Sequence, residues 1–168
     1  MSRETVGVIV NGATGRMGYR QHLVRSLLAI RDQGGLAVPD GTVLWPEPIL
    51  VGRSVDRLKA VADRHGLDRW TTSLDEALAD PGATVYFDAQ VTAQRVPPVL
   101  AAIAAGKHVY VEKPTADGGG IALEEAYEAT ADDAAYAILE LPIRRHEHHA
   151  DEVLPPRDQR MLVLVPVL

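Results

Sequence analysis

The sequence contains no cysteine. That absence excludes a disulfide framework, a thiolate nucleophile and any zinc or iron–sulfur centre held by cysteine, and it makes the reducing cytoplasm the expected compartment. Aromatic residues are scarce at 5%, and no apolar run approaches the ~20 residues of a membrane-spanning helix. The start, Met1 to Thr5, leads into an apolar stretch too short for the core of a signal peptide. Excess basic charge is missing too: 17 basic against 23 acidic side chains give a formal net charge of −6. Neither nucleic acid nor a membrane is therefore an expected partner.

What is present suffices to fold. A hydrophobic share of 46% over 168 residues supports one domain with its own core and at most a short appendage. Val6 to Asn11 reads as a strand buried on both faces, central to its sheet. Arg16 to Arg31 predicts an amphipathic helix with Met17, Leu23, Leu27, Leu28 and Ile30 on its apolar side, stopped by Gly34-Gly35. Asp40-Gly41 predicts a surface hairpin inserted over residues 36–48, ahead of a second core strand, Ile49 to Val51.

A helix over Val55 to Arg64 closes at Gly66, and a short strand, Trp70 to Thr72, follows. Ser73-Leu74-Asp75-Glu76 has the spacing of a capping box, in which Glu76 reaches back to the serine N–H. Thr84 to Asp88 is a fourth strand, Val99 to Ala105 a helix with Pro97 and Pro98 in its first turn, and His108 to Glu112 a fifth strand. This alternation predicts an α/β fold: a doubly wound parallel sheet, with an irregular C-terminal tail. Residues 1–120 are expected to form this domain. Residues 121–168 hold a predicted helix, Ala122 to Ala137, and a tail without clear period.

The chemistry starts at Gly12-Ala13-Thr14-Gly15-Arg16-Met17-Gly18, between the first strand and the first helix. Glycines there permit a tight turn, close approach of the backbone to a pyrophosphate and close helix–strand packing, while the helix N-terminus offers N–H groups to phosphates. The Gly-x-x-Gly-x-x-Gly spacing is a variant of the dinucleotide fingerprint, and without a ligand it is simply a glycine-rich turn. No Gly-Lys-Ser/Thr follows, which excludes a Walker loop. The second core strand ends Val51-Gly52-Arg53-Ser54, with no acid to hold a ribose diol. A guanidinium beside a hydroxyl suits a 2′-phosphate, so Arg53 and Ser54 favour NADP over NAD as cofactor; the other reading is an exposed loop arginine.

The fifth strand ends in Gly106-Lys107-His108-Val109-Tyr110-Val111-Glu112-Lys113-Pro114. Ligands of open α/β sheets bind beyond the carboxyl ends of strands, so Lys113 is placed to hydrogen-bond a reacting hydroxyl or carbonyl; alternatively it is a surface lysine in an ion pair. With the glycine loop, Ile49 to Ser54 and Phe87 to Thr92, this stretch resembles the Gfo/Idh/MocA oxidoreductases over about residues 5–116. The resemblance implies a Rossmann-like NAD(P)-binding domain, with Lys113 as the catalytic lysine, Glu112 its neighbour near the nicotinamide, and Gln90 with Thr92 on a loop touching the cofactor. It also implies hydride transfer with a sugar, polyol or related small-molecule substrate.

Members of that family continue into a second α/β domain with the substrate wall, which nothing after Pro142 resembles. Two functions therefore stand side by side: a truncated oxidoreductase, or a dinucleotide-binding module without catalysis. An exposed sheet edge is expected to call for a homo-oligomer or a partner chain, with the final run, Met161 to Leu168, pairing with that chain. His146, His148 and His149 beside Glu147 read as a solvated loop, so no metal is expected.

Overall fold

Alternate residues of the first apolar run pack on opposite faces of one sheet, Val8 and Val10 in one core cluster and Ile9 in the other. This two-sided burial is what an uninterrupted β-branched run predicts. The arrangement is seen in a computed structural model of the chain, which describes residues 2–111 and the strands Tyr136–Pro142 and Arg160–Pro166.

β1 (Arg3–Asn11) pairs in parallel with β3 (Val43–Val51) on one side and β5 (Ala83–Asp88) on the other. β6 (His108–Val111) adds in parallel beyond β5, and β4 (Trp70–Thr71) beside β3. β1 is thus central, as its sequence indicates. A π-helix, Gly18–Leu28, running into α1 (Ala29–Asp32), and α2 (Val55–His65) cover the face of Val8, Val10, Leu50 and Phe87. α3 (Leu74–Ala79) and α4 (Val96–Ala104) cover the face of Ile9, Ile49, Val51 and Tyr86. Among the described residues no helix is long and apolar enough to cross a membrane.

Several details differ from expectation. The first helix winds mainly as a π-helix, and Met17, expected on its apolar side, is exposed. The hairpin expected around Asp40-Gly41 forms, Val38 N donating to Thr42 O at 2.9 Å, but its second arm is the first half of β3, which pairs antiparallel with β2 (Leu36–Ala37) and runs unbroken into Ile49–Val51. Pro46 and Pro48 lie within that strand. Leu50, two and four positions on, donates its N–H outward to Arg69 O at 3.0 Å. By strand alternation the prolines' missing N–H groups point the same way, into the gap between β2 and β4 where no strand pairs.

The tail also departs from expectation. Tyr136 and Ala137, assigned by sequence to a helix, begin β7 (Tyr136–Pro142); the rest of that helix lies outside the described residues. The final run forms β8 (Arg160–Pro166), which pairs antiparallel within the same chain with both β6 and β7. The apolar character of this run shows that it needs a partner but not which one, so pairing within the chain rather than with a second one is a finding of the fold. The sheet is consequently mixed, in the order β2-β3-β1-β5-β6-β8-β7, with β4 beside β3.

At α3 the cap is a relay rather than a reciprocal box. Ser73 Oγ accepts from Glu76 N at 3.2 Å, but the Ser73 N–H goes to Thr71 Oγ1 at 3.0 Å, and that hydroxyl donates to the Glu76 carboxylate at 2.6 Å. Thr71→Val, which keeps the branched shape, is expected to cost about 1 kcal/mol in urea denaturation, as loss of a cap does. A reciprocal Ser73–Glu76 box would leave stability unchanged.

Candidate functional site

The parallel register brings four strand ends into one row, pairing Asn11 with Val51 and with Asp88, and Asp88 with Val111. The glycine turn closes over the start of that row. Gly12 N and Ala13 N both donate to Val51 O, at 3.0 and 3.1 Å, Gly15 N donates to Gly12 O at 2.9 Å, and Tyr19 N donates to Gly15 O at 2.8 Å. Gly12 has a φ of 86°, a left-handed conformation that glycine adopts freely. A Cβ on Gly12 would lie 3.0 Å from Ala89 C, and one on Gly18 would lie 2.4 Å from Gly12 O. The turn is thus compressed between the helix start and the loop after β5.

Thr14, Gly15, Arg16 and Met17 line the outside of this turn, the last three exposed. A Cβ on Gly52 would lie 3.6 Å from Thr14 Oγ1, so the end of β3 adjoins the loop. Arg53 is exposed there, and Ser54 caps α2 by accepting from Arg57 N at 3.4 Å. The Ser54 hydroxyl keeps its proton to donate. Gln90 abuts the glycine turn, its N lying 3.2 Å from a Gly12 Cβ, and half-buried Thr92 opens a single 3₁₀ turn, Thr92–Gln94. Glu112 and Lys113 lie outside the described residues, as does the histidine cluster. Among the described residues no cluster of metal-ligating side chains occurs.

Beneath the turn lies a buried polar network that sequence reasoning missed. Asn11 Nδ2 donates to Tyr86 Oη at 2.8 Å, and Tyr86 Oη donates to Asp88 Oδ2 at 2.6 Å. The other Asp88 oxygen accepts from Gln90 N at 3.0 Å and from Arg95 Nε at 3.1 Å, while Arg95 Nη2 donates to Gln90 O at 2.6 Å. Asp88 is fully buried and Arg95 nearly so. Burial raises the Asp88 carboxyl above its usual range, against the pull of its bonds from Tyr86, Gln90 and Arg95. The Tyr86 hydroxyl is likewise driven far up, first by burial and then by the Asp88 charge, so it serves as a neutral donor. An Asp closing an apolar strand with an Arg seven positions on was the available signal. Among the described residues one buried side-chain polar atom lacks a hydrogen-bond partner, Gln90 Oε1.

The strand order and the glycine turn at the strand ends define a Rossmann-type dinucleotide-binding fold. By sequence and fold the chain is similar to dehydrogenases of the Gfo/Idh/MocA type. It is 49% identical over 123 residues to a D-xylose dehydrogenase of Paenarthrobacter nicotinovorans, a match covering 73% of this chain and 31% of that one. It is 33% identical over 100 residues to a 1,5-anhydro-D-fructose reductase of Ensifer adhaerens, covering 60% of this chain and 26% of that protein. A levoglucosan dehydrogenase solved with NADH and levoglucosan aligns with a TM-score of 0.56 at 25% identity, covering 78% of this chain and 33% of the other. No family model matches the chain. The chain spans a quarter to a third of the length of these relatives.

Proposed function

We propose that the chain binds NADP(H) across the ends of β1, β3 and β5 and serves as the nucleotide-binding part of an oxidoreductase acting on a sugar or polyol. The observation that carries this reading is the glycine turn: a Cβ on Gly12 or Gly18 would meet backbone atoms, and beside it Gln90 Oε1 is a buried acceptor with no donor among the described residues. Gly12, Thr14, Gly15, Arg16, Met17 and Gly18 form the pyrophosphate cradle. Gln90 and Thr92 face the nicotinamide half. The names of the relatives, and the NADH held by the levoglucosan dehydrogenase, support a nicotinamide cofactor and a sugar-like substrate.

The bound nicotinamide supplies the hydride acceptor or donor. Lys113, two positions beyond the end of β6, holds and exchanges the proton of the substrate hydroxyl, with Glu112 beside it. The preference for NADP rests on Arg53, exposed at the end of β3 with no acid nearby in the run Val51 to Ser54. Fluorescence titration is expected to give tighter NADPH than NADH binding, with Arg53→Ala weakening NADPH about tenfold, or ~1.4 kcal/mol, and leaving NADH unchanged. Tighter NADH binding by the unaltered chain would sink the NADP assignment. Turnover of D-xylose or a polyol that disappears in Lys113→Ala supports the catalytic role; binding without turnover assigns the chain to a non-catalytic module.

A further inference from the structure

We infer that the buried Asp88–Arg95 pair is a positioning device for the dinucleotide, locking the Ala89–Gln90 segment against the glycine turn. The inference rests on the dinucleotide reading above and names residues that reading does not use. Arg95 closes a ring over this segment: Nε binds Asp88 Oδ1, Nη2 binds Gln90 O, and Gln90 N returns to the same Asp88 oxygen. Within this ring Arg95 Nη2 holds the carbonyl of Gln90 and Asp88 Oδ1 holds its N–H. Gln90 N and the neighbouring Ala89 C and O are the atoms against which the Gly12 turn rests, at 3.0 to 3.2 Å from where a Cβ would stand. Ala89 N in turn donates to Asn11 O at 2.9 Å, tying the segment to the end of β1.

A bridge that served stability alone would have no need of this placement. Buried ion pairs are generally matched or bettered by apolar residues of similar volume, because removing two charges from water costs about what their attraction returns. Here the fork of Arg95 sets the carbonyl of Gln90 as well as the carboxylate, so the pair fixes the backbone that carries the unsatisfied Gln90 Oε1. Tyr86 completes the support, donating to the second carboxylate oxygen while its own hydroxyl accepts from Asn11 Nδ2. A lysine at position 95 has the charge but not the planar fork, and cannot set both acceptors in one plane.

The test measures NADPH affinity by fluorescence and thermal stability in the full chain, well below the melting temperature. Arg95→Met leaves the buried Asp88 charge unpaired and is expected to lose both stability and affinity. Asp88→Leu/Arg95→Met removes both charges and is expected to regain stability over the single variant while still binding NADPH at least tenfold more weakly than the unaltered chain. Arg95→Lys is expected to fold and to bind severalfold more weakly. Unaltered affinity in the double variant or in Arg95→Lys overturns the positioning role and leaves the dinucleotide reading intact. No NADPH binding by the unaltered chain overturns that reading, and this inference with it.

Discussion

Gly18→Ala is expected to weaken NADPH binding about a hundredfold, or ~2.7 kcal/mol, in a fluorescence titration of the folded protein. The added methyl would stand 2.4 Å from Gly12 O and 3.0 Å from Gly12 C. Both are backbone atoms, so no side-chain rotation relieves the contact. Gly12 O is held by Gly15 N, and the neighbouring Gly12 N and Ala13 N are held by Val51 O. The turn must therefore open as a unit, displacing the N–H groups proposed to meet the pyrophosphate. Gly66→Ala is the control. Gly66 also has a positive φ, 60°, and caps α2, yet a Cβ there meets nothing within 4 Å. It is expected to lose about 1 kcal/mol of stability with affinity unchanged. Equal affinities for Gly18→Ala and the unaltered chain would show that the turn does not cradle the ligand.

Much of this architecture was legible because local signals agreed. The run Val6 to Asn11, the glycines after it and the strand–helix alternation all point to a central parallel strand with a ligand-binding turn, and β1 occupies that place. Sequence shows the second core strand only from Ile49, because Asp40-Gly41 assigns the residues before it to a hairpin; what Pro46 and Pro48 cost within the longer strand depends on which neighbour the absent N–H would face, a tertiary property. β8 illustrates the same limit from the other side. An apolar run announces its need for a partner, while pairing with β6 rather than with a second chain depends on where the chain returns.

The candidate site was legible in its glycines and not in its supports. Glycine spacing is a local pattern, whereas Asn11 joins the network of Tyr86, Asp88 and Arg95 only when β1 and β5 pair in register. Asp88 reads in the sequence as a polar residue ending a strand, which is commonly solvent-exposed. Its complete burial follows from the loop folding back so that Arg95 covers it. Ser54 shows a related limit: beside Arg53 it reads as half of an anion site, and in the fold its oxygen also caps α2.

Gly7→Ala is expected to destabilise the protein by about 3 kcal/mol, toward the upper end for overpacked core positions, seen as a lower urea midpoint at unchanged slope. Gly7 lies in β1 with nothing in its conformation to require glycine; the constraint is the neighbouring chain. A Cβ there would stand 2.0 Å from Gly82 O, 2.8 Å from Gly82 C and 2.9 Å from Ala83 Cα, where the register between β1 and β5 shifts. The Gly82 turn has little freedom to withdraw. Gly82 N is bound to Asp80 Oδ1 at 2.8 Å, and buried Lys107 donates from Nζ to Asp80 O at 2.9 Å and to Ala83 O at 2.7 Å. Lys107→Met frees those carbonyls at its own cost in lost hydrogen bonds, and it also lets the turn move. The two substitutions are therefore expected to be non-additive, Gly7→Ala costing about 1 kcal/mol less when Lys107 is already methionine. Strict additivity would show that the turn yields without Lys107 and that the close approach is relieved within β1 itself. The register at stake is the one that aligns Asn11 with Asp88, so the Gly7→Ala chain that remains folded is also expected to bind NADPH more weakly.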